Sequence, residues 1–111
     1  MTKATRLYPG KWLLGGKAVI ILRTGQMVIE ATILEKSFQL ETPDLGTLTF
    51  KTAQVQRIIY KNSPTYQTDQ LRTVKGSEFD GVVLNDPIRV EAEDLGGKTS
   101  IAKSKIISII W

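Results

Sequence analysis

The chain contains no cysteine and no histidine. Without cysteine there is no disulfide and no thiolate metal site, a composition that fits a reducing compartment. Without histidine there is no Ser-His-Asp triad, no Cys-His dyad and no ordinary near-neutral acid–base group, and nearly every zinc site is removed. Long apolar runs are missing as well. The longest, such as Ala18 to Leu22, are far shorter than the roughly 20 residues that span a bilayer. Lys3, Arg6 and Lys11 precede Trp12-Leu13-Leu14, but Gly15-Gly16-Lys17 interrupts the apolar character, so this is not the pattern of a signal peptide. A cytoplasmic protein with no membrane partner is expected. No segment keeps a 3.6-residue apolar stripe over three turns, so no substantial helix is predicted.

What is present describes an ordinary globular chain. Its 111 residues, 41% hydrophobic and 23% charged, suit one compact domain or two small ones that depend on each other. The net charge of +4 is uneven. Lys3, Arg6, Lys11, Lys17 and Arg23 all precede the first acid, Glu30, so positive potential gathers in the N-terminal segment. Residues 78–94 lean acidic, with Glu78, Asp80, Asp86, Glu91, Glu93 and Asp94 against Arg89.

The chain says nearly the same thing twice. A shift of 50 residues sets Leu34 on Leu84, Phe38 on Ile88, Leu40 on Val90, Glu41 on Glu91 and Asp44-Leu45-Gly46 on Asp94-Leu95-Gly96. Gly97 makes the shift 51, after which Phe50 meets Ile101, Val55 meets Ile106, Ile58-Ile59 meets Ile109-Ile110 and Tyr60 meets Trp111. Self-similarity at a fixed period signals a duplicated structural unit.

The unit is built of strands. Phe38-Gln39-Leu40-Glu41-Thr42 and Ile88-Arg89-Val90-Glu91-Ala92 alternate apolar and polar. Turn signals separate such runs: Thr24-Gly25, Pro43-Asp44-Leu45-Gly46, Lys75-Gly76 and Glu93-Asp94-Leu95-Gly96-Gly97. Each copy reads as a five-strand meander, over about 17–24, 26–35, 37–42, 47–52 and 55–60, then 69–75, 77–84, 87–92, 98–102 and 106–111. Short 3₁₀ turns are expected at Thr52-Ala53-Gln54 and Lys103-Ser104-Lys105. The units are therefore 1–60, with its basic N-terminal segment, and 69–111, joined by a linker at 61–68. The closing run Ile106-Ile107-Ser108-Ile109-Ile110-Trp111 is apolar on both faces. It must be covered twice, by the core and by the other repeat or another subunit. Ile107, Ile109 and Trp111 are the expected interface of a homo-oligomer.

The order Ala18-Val19-Ile20-Ile21-Leu22-Arg23-Thr24-Gly25, then Ala31 to Leu40, then an isoleucine-rich last strand resembles the Sm-like small β-barrels (the LSm and Hfq class). Gly25 matches that pattern's turn glycine, Glu35 its acidic position, Phe38 its apolar position and Gln39 its asparagine. The resemblance covers roughly 17–60 and 69–111, and SH3-like barrels share the outline. Ahead of the last strands the chain departs from the pattern, with Gln56-Arg57-Ile58 and Ile107-Ser108-Ile109 carrying neither glycine nor histidine. The resemblance implies rings of barrels joined edge to edge through their last strands, and RNA binding.

Catalytic readings are weak. Phe79-Asp80-Gly81 lacks the hydroxyl residue of an aspartic-protease motif. Ser104-Lys105 are neighbours whose side chains diverge in extended backbone. Gly15-Gly16-Lys17 lacks P-loop spacing. An oxygen-only calcium or magnesium site from Asp86, Glu91, Glu93 and Asp94 is outweighed by ordinary turn and surface roles. Basic residues interleaved with aromatics suit phosphate contact and base stacking, which makes Lys3, Arg6, Lys11, Trp12, Arg23, Gln39 and Arg57 the nucleic-acid candidates. Against that stands packing of Trp12, Leu13 and Leu14 as a plug at one barrel end. The reading is an all-β protein of two tandem, pseudo-symmetric, five-stranded Sm/SH3-like repeats packed together. Its expected function is non-enzymatic binding or scaffolding with self-association, without metal or small-molecule cofactor. The alternatives are a ring binding RNA or single-stranded nucleic acid and, further off, a carboxylate-based enzyme.

Overall fold

The computed structural model describes residues 17–24, 28–61 and 67–111. Ten strands follow in order: β1 Ala18–Leu22, β2 Val28–Ile33, β3 Ser37–Thr42, β4 Gly46–Lys51, β5 Val55–Ile59, β6 Asp69–Thr73, β7 Glu78–Val83, β8 Ile88–Ala92, β9 Gly97–Ile101 and β10 Ile106–Ile110. All ten lie where the alternation places them. The expected 3₁₀ turns occur at Thr52–Gln54 and Lys103–Lys105, and a third, unexpected one at Glu93–Leu95. Among the described residues no helix is long and apolar enough to cross a membrane.

Turn chemistry sets the strand ends. Thr42 Oγ1 donates to Gly46 O at 2.8 Å and accepts from Leu45 N at 2.9 Å, closing the β3–β4 hairpin. Gly46 there has φ 71°, a left-handed conformation that costs a residue with a side chain. In the β8–β9 turn Gly96 and Gly97 take φ 82° and 115°, which accounts for the second glycine.

The strands form one curled antiparallel sheet in the order β4-β3-β7-β6-β5-β10-β1-β2-β8-β9. The expected meander breaks twice, because β2 pairs with β8 and β3 with β7 rather than β2 with β3 and β7 with β8. Each half of the sheet thus takes strands from both halves of the chain. Under the 50- or 51-residue shift, β1 to β5 correspond to β6 to β10, and the strand order reads the same from either end. The registers obey the same shift. Ile20↔Ile109 becomes Leu71↔Ile58, and Ile33↔Val90 becomes Val83↔Leu40. The exchange axis runs through the β5·β10 pair, where Ile58 faces its own counterpart, Ile109.

The inner face carries the core. Ala18, Ile20, Phe38, Leu40, Val55, Ile58, Tyr60, Leu71, Ile88, Val90, Ile106 and Ile109 are fully buried. Trp111 meets Phe38 edge to face, with ring centroids 5.9 Å apart. The last strand of one copy therefore packs on the third strand of the other. Gly81 in β7 sits where β3 passes closest, and a Cβ there would lie 2.3 Å from the Glu41 carbonyl oxygen. Its counterpart in the other half is Ala31.

Replacing Gly81 by Ala should lower stability by about 1–3 kcal/mol, because the β3 backbone itself must move. Gly76→Ala, with open space around it but φ 95°, should cost about 1 kcal/mol. Urea unfolding of the two variants, read for midpoint at unchanged slope, checks the ranking.

Candidate binding surface

The crossing of the two exchanged connections is the most elaborate polar constellation. There the chain leaves β2 for β3 beside the chain leaving β7 for β8. Leu34 N donates to Arg89 O and Leu84 N to Gln39 O, both at 2.8 Å, so the backbones tie the two halves. Glu35 then accepts from Arg89 twice at Oε2, from the backbone N at 2.9 Å and from Nε at 3.0 Å. At the equivalent place Asn85 Oδ1 accepts from Gln39 N at 3.0 Å, and its Nδ2 donates to Ser37 O at 3.0 Å. Burial pushes the Glu35 carboxyl up, but the Arg89 side-chain and backbone hydrogen bonds and the Arg89 charge outweigh it and hold it below its ordinary value. Glu35 and Gln39, two of the four residues that carry the Sm-like resemblance, thus tie the two connections together, Glu35 by its side chain and Gln39 by its backbone.

A second constellation is buried. Asp69, at the start of β6, accepts from Lys61 N and Val83 N, each at 2.8 Å, and pairs with Lys103 Nζ at 2.8 Å. Lys103 also donates to Val83 O at 2.7 Å and stands 5.9 Å from the Tyr60 ring centroid. Burial, followed by the charges of Asp69, Asp86 and Glu35, pushes the Tyr60 hydroxyl far up, so it stays protonated. The carboxylate is saturated with donors, which suits a structural tie rather than acid–base work. In the other half Asp69 corresponds to Ala18 and Lys103 to Thr52. An acid at an inward strand position, where its repeat counterpart is alanine, was the available signal for this pair.

The outer face of the sheet is mixed. Direct cross-strand partners share a face, so one row runs Glu30, Val19, Ile110, Arg57, Arg72, Glu78 across β2, β1, β10, β5, β6 and β7. The next runs Val28, Ile21, Ser108, Ile59, Gln70, Asp80. Apolar side chains gather at one corner, where Val28 is 61% exposed and Ile110 is 36% exposed. Arg57 and Arg72 stand opposite each other next to Ile110 in the first row. Further out, a groove of about 430 Å³ is lined by Lys17, Glu30, Thr32, Glu91, Glu93 and Asp94. Among the described residues no three His, Cys, Asp or Glu side chains converge to hold a metal ion. Asp86, weighed as a ligand, instead accepts from Lys103 N at 3.0 Å.

The nucleic-acid candidates do not come together. Lys3, Arg6, Lys11 and Trp12 lie outside the described residues. Arg23 turns its guanidinium to the Ser104 and Ile106 carbonyls, both at 3.2 Å, and ties the first turn to β10. Gln39 and Arg57 stand on strands separated by β7 and β6, about 15 Å apart at ordinary strand spacing. Arg72 escaped the sequence reading because only the β5·β6 register, with its bulge between Val55 and Arg57, sets it opposite Arg57. Of the expected interface residues, Ile109 and Trp111 are buried and Ile107 is half-buried in this chain. The edges of β10 are taken by β1 and β5, so the edge-to-edge joining through last strands is met inside one chain. No family model, no curated protein and no solved structure matches the chain.

Two outcomes test the polar ties. The depressed Glu35 carboxyl contributes stability above its ordinary value of 4.5, lost as pH falls through the lower folded value. Melting temperatures of the wild type and Glu35→Gln should therefore differ most above that value and converge in more acidic buffer. Lys103→Met leaves Asp69 charged and unpaired in the core and should cost about 3–5 kcal/mol, whereas adding Asp69→Asn should recover part of the loss. A double-mutant cycle in urea measures it.

Proposed function

We propose that the protein is a non-enzymatic binding module whose sheet halves are two Sm/SH3-like units completed by strand exchange, and that it self-associates through the outer face. The palindromic strand order and its matching registers support the two-unit reading. One observation carries the self-association: Val19, Ile21, Val28, Ile59 and Ile110 share the side of the sheet away from the core, and Val28 and Ile110 are exposed there. Strands that are apolar on both faces need cover on both. A second copy supplies it, patch against patch about a twofold axis, the commonest arrangement of soluble homo-oligomers.

Among the described residues the two acids with the most complete sets of partners serve structure, Glu35 with Arg89 and Asp69 with Lys103, which favours binding over catalysis. The internal pairing of β5 with β10 moves the contact from strand edges to a sheet face. Association should then depend on side chains and little on backbone hydrogen bonds.

Light scattering across a concentration series should give a mass of two chains. Val28→Lys with Val19→Thr should weaken the dimer by about a hundredfold, since a charge is desolvated against an apolar patch. Circular dichroism should stay unchanged. A wild type that remains one chain at its solubility limit would overturn the reading.

A further inference from the structure

Arg57 on β5 and Arg72 on β6 are direct cross-strand partners on the outer face. Like charges placed opposite each other repel, and a sheet tolerates them only with a counter-charge. The next residue of the row, Glu78, provides a partial one. Its Oε2 lies 3.7 Å from Arg57 Nη2 and 3.9 Å from Arg72 Nη1, too far for a hydrogen bond to either. Arg72 Nε is itself buried and has no hydrogen-bond partner in the structure. A cleft of about 190 Å³ beside them is lined by Gln56, Arg57, Arg72 and Ile110.

The fold does not require this pair. At the positions related by the repeat, Arg57 is replaced by Ser108, Arg72 by Ile21 and Gln56 by Ile107. The other half of the same face therefore builds its rows without any cation. Two guanidinium groups that share one carboxylate leave an excess positive charge, and Arg72 Nε is left without a partner beside the cleft. That is the chemistry of oxyanion recognition, in which guanidinium pairs take tetrahedral oxygens in parallel hydrogen bonds.

We infer that Arg57, Arg72 and Gln56 form a binding site for a phosphate group, open to solvent on the outer face. A phosphate suits the site better than a single carboxylate, because its three or four oxygens can serve both forks at once and its charge balances the excess. The site borders the apolar patch at Ile110, but its anion chemistry does not rest on self-association.

The test is titration of the ¹⁵N-labelled full chain with inorganic phosphate, adenosine monophosphate and a short single-stranded oligonucleotide, following the arginine Nε–H signals. The Arg57 and Arg72 signals should shift and saturate, that of Arg72 most, while Arg23 stays still. Arg57→Gln and Arg72→Gln should each weaken binding by about tenfold or more, with the fold unchanged because both side chains are part-exposed. Equal affinity for the phosphate and the monophosphate points to a small phosphate ligand. Tighter, salt-sensitive binding of the oligonucleotide, lost in the same variants, points to a nucleic-acid backbone. Repeating the titration on Val28→Lys keeps the outcome separate from dimer formation. Stationary Arg57 and Arg72 signals with all three probes, or equal affinity in the Arg57→Gln/Arg72→Gln double variant, would overturn the inference.

Discussion

Ile58 of β5 lies directly opposite Ile109 of β10, and both are fully buried. This pairing sets the rest of the molecule. β10 is the most apolar strand of its half and β5 carries Val55, Ile58 and Ile59, so an edge left open on either would recruit other chains. Placing them side by side consumes one edge of each, and β6 and β1 take the other two. The antiparallel pair also imposes the twofold relation between the halves, because two equivalent strands paired antiparallel about equivalent residues are related by a half-turn. From there outward every strand has a counterpart.

The same half-turn brings the two connections together at Glu35 and Asn85, and there the equivalent positions differ. The Glu35 carboxylate accepts from the main chain and side chain of Arg89 on β8, and the Asn85 amide accepts from the main chain of Gln39 on β3, the equivalent strand. Asp69 with Lys103 against Ala18 with Thr52 is a second such divergence. Where copies must only fold, they keep apolar residues of similar size. Where they differ in charge, the difference is local and paired, as desolvation demands of a charge under a strand.

On the outer face the difference is only partly compensated. Arg57 and Arg72 occupy positions that are serine and isoleucine in the other half, with Glu78 too distant to complete them. The face consequently sets exposed apolar side chains and the two arginines side by side, meeting at Ile110.

The sequence by itself determined the strands, their turns and most of the residues that point inward, though Ile109 and Trp111, expected at an interface, lie in the core. These are local properties: a period of two along the chain decides the buried face, and Gly46, Gly96 and Gly97 occur where backbone with positive φ ends a strand. The repeat was legible for the same reason, since equivalent positions carry equivalent burial. Which strand lies beside which was decided by the tertiary structure alone. Strand edges present the same N–H and C=O groups whatever the side chains, so nothing in Ile33 or Leu34 says that β2 will neighbour β8. The exchange of strands, the pairing of Arg57 with Arg72 and the meeting of Asp69 with Lys103 all depend on that choice. They appear only when chain segments far apart in sequence are brought to one place.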